Sequence, residues 1–169
     1  MKWVTRENVH VDRVACPWLI KRFVDPQATF LFVPPENIPE VEKEGAIPFD
    51  AKGVELGHHG DKCSFDAIIQ KYKLTDPALL QLAKIIRAAD TNSMSLAPES
   101  VGLEAIATGS MMIAKDDHDA IEKQAYVYDS LYAYCQSQII KQKYQTEIEK
   151  LQPKQRHEFI RKQINKDKS

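Results

Sequence analysis

Residues 1–33, MKWVTRENVHVDRVACPWLIKRFVDPQATFLFV, decide the fold of this chain. The two ends of this stretch, residues 1–7 and 28–33, are rich in β-branched and aromatic side chains, which is typical of strands. Between them, Asp12 precedes apolar residues at helical spacing, and Asp25-Pro26 marks the end of that pattern. The stretch therefore predicts a β-α-β unit, in which the second strand can pair in parallel with the first through a right-handed crossover.

The rest of the chain adds one more strand and then becomes helical. A third strand is predicted at residues 46–51, and the glycine-rich residues 52–62 that follow are predicted to form a loop. Helical patterns then occupy residues 64–72, 76–89, 100–112, 116–144 and 153–166. We therefore predict an α/β (α+β) fold, with a small N-terminal sheet of about three strands packed with a predominantly helical C-terminal part.

The composition indicates one soluble domain. The chain has 169 residues, of which 28% are charged and 43% hydrophobic, and it contains no apolar run near the roughly 20 residues that a membrane span needs. Its first residues lack the apolar core of a signal peptide. Its three cysteines, Cys16, Cys63 and Cys135, fit neither a disulfide framework nor a zinc ribbon. We therefore expect a cytoplasmic protein in a reducing compartment, with no membrane partner.

Charge divides the chain into a body and a tail. Residues 141–169 carry nine Lys and Arg against four Asp and Glu, which leaves 14 against 20 in residues 1–140. Two interpretations of this basic amphipathic helical tail stay open: binding to nucleic acid, or homo-oligomer formation through Tyr144, Ile148 and Leu151. A sequence pI near 6.5 argues against nucleic-acid binding by the domain alone.

The strongest local motif is His58-His59-Gly60-Asp61-Lys62-Cys63, an imidazole pair in a glycine loop that leads into a predicted helix. Imidazole and thiolate are metal ligands, and a helix N-terminus favours the thiolate form of Cys63. The alternative is that one histidine is simply exposed and that Cys63 packs as a small hydrophobic residue. The motif is therefore a candidate metal or anion site.

A second group of polar residues lies on the long helix predicted at residues 116–144. His118, Glu122, Ala125 and Asp129 follow one another at spacings of four, three and four, so they share one face of that helix. Facing helices build metal sites from such stripes of acid and imidazole. An ordinary solvated helix face has the same pattern, so both interpretations stay open.

Single polar residues near helix ends are further candidates. Asp12 is predicted to cap the first helix, and Arg13 is either an exposed cation or a guanidinium aimed at an oxyanion. Asp90 ends an apolar helix, where its carboxylate either points into a pocket or caps the helix end. The sequence contains no Gly-x-Gly-x-x-Gly, no phosphate-binding glycine loop and no Gly-x-Ser-x-Gly, so nucleotide-binding and ordinary hydrolase functions lose support.

Motifs in a fixed order cover about residues 3–135. They are Trp3-Val4-Thr5-Arg6, Asp12-Arg13-x-Ala15-Cys16-Pro17-Trp18-Leu19-Ile20-x-Arg22-Phe23, Pro48-Phe49-Asp50, His58-x-Gly60-x-x-Cys63-Ser64-Phe65-Asp66, Ala89-Asp90-Thr91, Asp116-Asp117-His118 and Tyr128-Asp129-x-Leu131-Tyr132. In these motifs the chain resembles the C-terminal domain of the chromate-resistance protein B (ChrB-like) family. Residues 1–140 are accordingly predicted to form one stand-alone ChrB-like domain, followed by the tail of residues 141–169.

The resemblance implies a bacterial or archaeal protein of the chromate response. Longer family members act as chromate-responsive regulators of an efflux transporter and carry another domain before this one. Because the matching block begins here at Trp3, DNA binding through such a domain is not carried over. We expect a stress-response sensor or accessory factor that binds a divalent metal, an oxyanion such as chromate, or both. The alternatives are a redox or hydrolytic metalloenzyme with a metal-bound water, and a DNA-binding transcriptional regulator.

The resemblance also adds weight to the polar motif residues as a site. We predict that one divalent metal ion, zinc, iron or manganese, is held by ligands from the loop and two helices, namely His58, Asp90, His118, Glu122 and Asp129. Asp12, Arg13 and Cys63 are predicted to orient these ligands or to contact an oxyanion. Mixed nitrogen and carboxylate ligation suits these ions better than a thiolate-rich cage would.

Overall fold

The computed structural model describes residues 1–166. The strands are β1 (Lys2–Arg6), β2 (Thr29–Val33) and β3 (Ile47–Pro48). The α-helices are α1 (Val11–Leu19), α2 (Ile38–Lys43), α3 (Ser64–Lys71), α4 (Pro77–Asp90), α5 (Ser100–Ile113), α6 (Asp117–Lys143), α7 (Gln145–Glu149) and α8 (Pro153–Lys166). A π-helical turn (Ile20–Val24) continues α1, and 3₁₀ turns lie at Pro35–Asn37 and Met94–Leu96. This order confirms the predicted α+β fold. Of the predicted tail, residues 167–169 lie outside the described residues.

The sheet is parallel, with its strands in the order β2-β1-β3. Trp3 of the central strand β1 pairs with Phe30 on one side and with Ile47 on the other. The β-α-β unit predicted from residues 1–33 is therefore present, with the parallel pairing that a helical crossover allows.

The third strand is shorter than predicted: it covers two of the six residues predicted at 46–51. Pro48 has no N–H to donate to a neighbouring strand. Two residues later, Asp50 adopts a positive φ of 44°, which L-residues rarely adopt in a strand. The chain therefore leaves the sheet at Asp50 and enters the loop that carries His58.

The central helix of the fold is α1. Eight of its nine residues are buried, and it packs against α3, α4 and α6. Trp3 and Phe30 from the sheet join the same hydrophobic core. Helix α1 is therefore apolar on nearly every side, and of its two charged residues Asp12 is buried whereas Arg13 is partly exposed.

The 27-residue helix α6 runs along α1 and α4. At its start, the Asp116 carboxylate accepts a hydrogen bond from the Asp119 backbone N–H at 2.8 Å. The next carboxylate, Asp117, accepts hydrogen bonds from the backbone N–H groups of Asn8 and Val9. These bonds fix the start of α6 to the segment between β1 and α1.

The tail folds back on the domain. Helix α8 packs against α6, and the rings of Tyr144 and Phe159 meet edge to face with centroids 5.6 Å apart. Across residues 1–166, no helix combines the length and the apolar character that crossing a bilayer requires.

Candidate functional site

Asp12 joins two helix ends in the interior. Asp12 is only 1% exposed, and its carboxylate accepts hydrogen bonds from the backbone N–H groups of Ser64 at 2.7 Å and Phe65 at 3.1 Å. The prediction that Asp12 caps its own helix is wrong, because the N-cap of α1 is His10. Asp12 lies inside α1 and satisfies the free amides at the start of α3, which the helix dipole also makes favourable for an anion.

Asp50 lies where the chain leaves β3, and its side chain is only 5% exposed. One carboxylate oxygen, Oδ2, is bound by Arg6 at 3.1 Å and by Arg13 at 3.2 Å. The other, Oδ1, accepts a hydrogen bond from the Ser64 hydroxyl at 3.1 Å. Burial raises the pKa of Asp50, the neighbouring Asp12 raises it further, and the two guanidinium groups oppose both effects.

His58 brings an imidazole to these carboxylates. Its Nε2 lies 3.1 Å from Asp90 Oδ2, 3.3 Å from Asp50 Oδ1 and 3.6 Å from Asp12 Oδ2. The residue before it, Gly57, allows this approach, because a Cβ there would lie 2.8 Å from the backbone oxygen of Ala51. The four residues Asp12, Asp50, His58 and Asp90 are referred to below as the His58 cluster.

Electrostatics within the His58 cluster shift two pKa values strongly. The pKa of His58 is raised to about 9, first by its interaction with Asp12, and the charges of Asp90 and Asp50 add to this while partial burial opposes it. Asp90 has the nearest oxygen but contributes less to that shift than Asp12 does. Burial and repulsion by Asp12 raise the pKa of Asp90 to about 7. The cluster therefore favours one added positive charge at its centre.

The geometry of the His58 cluster suits a divalent cation. One ligand atom each from Asp12, Asp50 and His58 can be chosen so that all three lie within 4.8 Å of one another. Carboxylate oxygens and an imidazole nitrogen are ligands of manganese, iron and zinc. The side chain of His58 is 45% exposed, so the cluster opens to solvent on its side.

Arg13 lies beside the cluster, and hydrogen bonds to other residues of the chain hold its side chain in place. Its guanidinium donates to Asp50 Oδ2 and, at 2.9 Å, to the backbone oxygen of Asn8, and its side chain is 16% exposed. Of the two alternatives from the sequence, an exposed cation does not describe it. Its predicted contact with an oxyanion stays a prediction.

The cysteines near the cluster are buried thiols. Burial, followed by the charges of Asp12 and Asp66, raises the pKa of Cys63 far above its usual range, so the expectation of a thiolate at this helix start is wrong. Burial similarly raises the pKa of Cys16, whose thiol donates to Asp12 Oδ1 at 3.4 Å. The alternative interpretation of Cys63, a small packed residue, agrees with its complete burial.

The stripe on α6 lies in a different place. His118, Glu122 and Asp129, with Ala125, line a groove of about 570 Å³ against Trp18, Lys21 and Arg22, and this is referred to as the α6 groove. Asp129 accepts a hydrogen bond from the Trp18 indole at 3.1 Å and pairs with Arg22 at 3.2 Å.

The predicted ligands therefore divide into two groups. The structure brings His58 and Asp90 together with Asp12, and it does not bring the three α6 residues to them. The reason is that the stripe faces the C-terminal end of α1 and its π-helical turn, whereas the His58 cluster lies at the N-terminal end of α1. Metal binding by either group stays a prediction.

Two residues of the cluster region were not among the predicted site residues. Asp50 and Arg6 meet at the carboxyl ends of β3 and β1, which is where ligand sites collect in open parallel sheets. The signal was present in the sequence, since Asp50 ends the motif Pro48-Phe49-Asp50 directly after a predicted strand.

Together, the fold and the cluster define an α+β domain with an acidic, histidine-containing site at the carboxyl end of a small parallel sheet. The chain belongs to the ChrB family: the model of the ChrB C-terminal domain matches residues 3–135. This confirms the resemblance seen in the sequence motifs.

Among curated proteins, the chain is similar to Protein ChrB of Cupriavidus metallidurans. The two are 36% identical over 137 residues, which cover 80% of this chain and 41% of the relative. The chain thus spans less than half the length of that relative. No solved structure matches the chain.

Proposed function

We propose that this domain binds one divalent metal ion in the His58 cluster and acts as a metal-binding sensor or accessory factor in chromate resistance. The observation that carries the proposal is the convergence of three carboxylate oxygens, from Asp12, Asp50 and Asp90, on one imidazole nitrogen. Membership of the ChrB family supports the association with chromate resistance.

The charges around the cluster support a cation. Three carboxylates meet there, and the nearby guanidinium groups of Arg6 and Arg13 both bind the same one, that of Asp50. Buried carboxylates left without a counter-charge are unfavourable, so the protonated imidazole serves as the cation when no metal is bound. A metal ion would take the place of that proton on Nε2 and would neutralise the remaining carboxylates.

An oxyanion fits the same position poorly. Chromate and sulfate are anions, and at the cluster they would face the carboxylates of Asp12 and Asp90 at close range. Arg13, the predicted oxyanion contact, already donates to two oxygen atoms of the protein. The cation is therefore the better-supported ligand of the two.

The donor set favours manganese, iron or zinc among divalent ions. It offers one imidazole and three carboxylates, whereas both thiols nearby are held in the protonated form. Thiolate-selecting metals such as copper(I) are disfavoured by such a set, and imidazole distinguishes it from the all-oxygen sites of calcium and magnesium.

A metalloenzyme is the second candidate function, favoured by one observation. The exposed side of His58 leaves the cluster open to solvent, so a bound ion has room for a water ligand. An open coordination position lets a metal activate water. A bound metal that exchanges no ligand with solvent, measured by water-proton relaxation on the manganese form, would remove this candidate.

Metal titration by calorimetry tests the proposal, with a matched pair of histidine variants. We expect near-stoichiometric binding of manganese or zinc by the metal-free protein. His58→Gln should weaken binding by about a hundredfold or more, since even outer contacts of a metal site contribute roughly 10–100-fold. His59→Gln should bind normally, because His59 is exposed and contacts the backbone oxygen of Glu55 instead. Equal affinities of the two variants, or no binding by the unmodified protein, would contradict the proposal.

A further inference from the structure

The two oxygens of the Asp50 carboxylate have different surroundings. Oδ1 lies 3.3 Å from His58 Nε2, within the His58 cluster. Oδ2 is instead bound by Arg6 at 3.1 Å and by Arg13 at 3.2 Å. Hydrogen bonds between a guanidinium and a carboxylate are charge-assisted and roughly twice as strong as neutral ones. Asp50 therefore presents one oxygen to the imidazole, while the two arginines hold the other.

The backbone of Asp50 is fixed as well. Arg6 Nε donates to the Asp50 backbone oxygen at 3.0 Å, and the Asp50 N–H donates to the backbone oxygen of Leu56 at 3.0 Å. The positive φ of Asp50 is a conformation that persists only where surrounding contacts hold it. The Ser64 hydroxyl donates to Oδ1 at 3.1 Å, and this oxygen retains a lone pair for a further partner. Turning both oxygens of Asp50 toward His58 would break the contacts of its side chain.

Asp12 is restricted in a similar way. Its Oδ2 lies 3.6 Å from His58 Nε2, while its Oδ1 accepts hydrogen bonds from the Phe65 backbone N–H at 3.1 Å and the Cys16 thiol at 3.4 Å. Each of the three carboxylates of the cluster thus approaches the imidazole through one oxygen. With Nε2 they offer four donor atoms, which is the number of ligands in a tetrahedral zinc site.

The two arginines cannot bind the metal themselves, because a guanidinium has no acceptor atom. Their charges repel every divalent ion to the same extent, so this repulsion lowers metal affinity without distinguishing one ion from another. Their contact with Oδ2 of Asp50 does distinguish ions, since it decides how many oxygens the carboxylate can give to the metal.

We propose that Arg6 and Arg13 are positioning residues that hold Asp50 to one metal-bound oxygen and thereby shift the ion preference of the cluster toward zinc. This inference rests on the proposed metal binding by the His58 cluster. Four donors satisfy zinc, whereas manganese favours octahedral sites rich in oxygen. A released Oδ2 would supply a fifth protein donor, which stabilises the larger coordination shell of manganese more than that of zinc.

The affinities for zinc and for manganese, both measured by calorimetry, test the inference. Zinc generally binds nitrogen and oxygen sites more tightly than manganese, so the readout is how the ratio of the two affinities changes between proteins. In the double variant Arg6→Gln and Arg13→Gln, we expect this ratio to move about tenfold or more toward manganese. The loss of two positive charges raises both affinities and leaves the ratio unchanged. Arg161→Gln, at an exposed residue of α8, is the matched control and should keep the original ratio.

A second measurement needs no variant. In crystal structures of the unmodified protein loaded with zinc or with manganese, Asp50 should bind the ion through Oδ1 alone, with Oδ2 still bound by the two guanidinium groups. An ion bound by both oxygens of Asp50, or an unchanged affinity ratio in a double variant that binds metal, would overturn this inference and leave the proposed metal binding intact. An unmodified protein that binds neither ion would contradict the proposed function itself, and this inference with it.

Discussion

At the scale of single residues, His58 makes the metal-free protein sensitive to pH. Its pKa of about 9 in the folded protein exceeds the unfolded value of 6.5, so protonation of His58 stabilises the fold below pH 6.5 and this contribution is lost as the pH rises through 9. The raised pKa of Asp90 acts in the same direction at lower pH, because the stability that its protonated form contributes is lost as the pH rises from about 3.8 through about 7. We expect the free energy of unfolding to fall between pH 6.5 and 9.

Urea denaturation of metal-free protein across that range measures the effect. His58→Gln removes the titrating imidazole and should flatten the decline between pH 6.5 and 9. Parallel curves for the variant and the unmodified protein, or stability that rises with pH, would show that the imidazole does not carry the charge of the cluster.

Asp12 contributes to stability through two backbone amides of α3. Asp12→Ala leaves the buried N–H groups of Ser64 and Phe65 without their acceptor, so we expect a loss of about 2–3 kcal/mol in the free energy of unfolding. Asp116→Ala removes an ordinary cap at the exposed start of α6 and should cost about 1 kcal/mol. Equal losses in urea denaturation would contradict the claim that Asp12 contributes more to stability than an ordinary exposed helix cap does.

At the scale of elements, the loop that carries His58 depends on Gly57. An added methyl group there would lie 2.8 Å from the backbone oxygen of Ala51, which cannot move freely. Gly57→Ala should therefore destabilise the protein by about 1–3 kcal/mol and weaken metal binding by displacing His58. Gly102→Ala in the open space beside α5 should instead stabilise the protein by about 0.5–1 kcal/mol. Thermal denaturation of both variants tests this, and the same sign for both would refute the steric explanation.

Long elements with clear periodicity could be predicted from the sequence, and short ones could not. The final helix was predicted at residues 153–166 and lies there, because proline at its start and spaced apolar residues define it locally. Helix α2 was not predicted. It has six residues and is held by the burial of Ile38 rather than by its own propensity, so the information lies in the rest of the fold.

The site could be predicted in its residue types but not in its grouping. Spacing along one helix correctly places His118 and Asp129 on a common face, yet it carries no information on which other segment that face meets. The contact between Asp12 and the amide of Ser64 joins residues 52 apart in sequence. Only the packing of α1 against α3 brings these two residues together, and no local sequence pattern predicts a contact between residues so far apart in the chain.

At the scale of the whole molecule, the tail and the His58 cluster are separate. The cluster is built from α1, the end of β3, the following loop and α4, whereas α8 packs on α6. Deleting residues 153–169 should therefore leave metal affinity unchanged in calorimetric titration, with a modest loss of thermal stability from the lost contact of Phe159 with Tyr144. A folded truncated protein that no longer binds metal would show that the tail contributes to the site.

The most direct test of metal binding by the His58 cluster is a crystal structure of the zinc-loaded protein, with the ion located by its anomalous scattering. We predict one strong peak about 2.0–2.1 Å from His58 Nε2, with carboxylate oxygens of the cluster completing the coordination. A peak in the α6 groove beside His118, or no peak at His58 in protein that has bound zinc, would contradict the account.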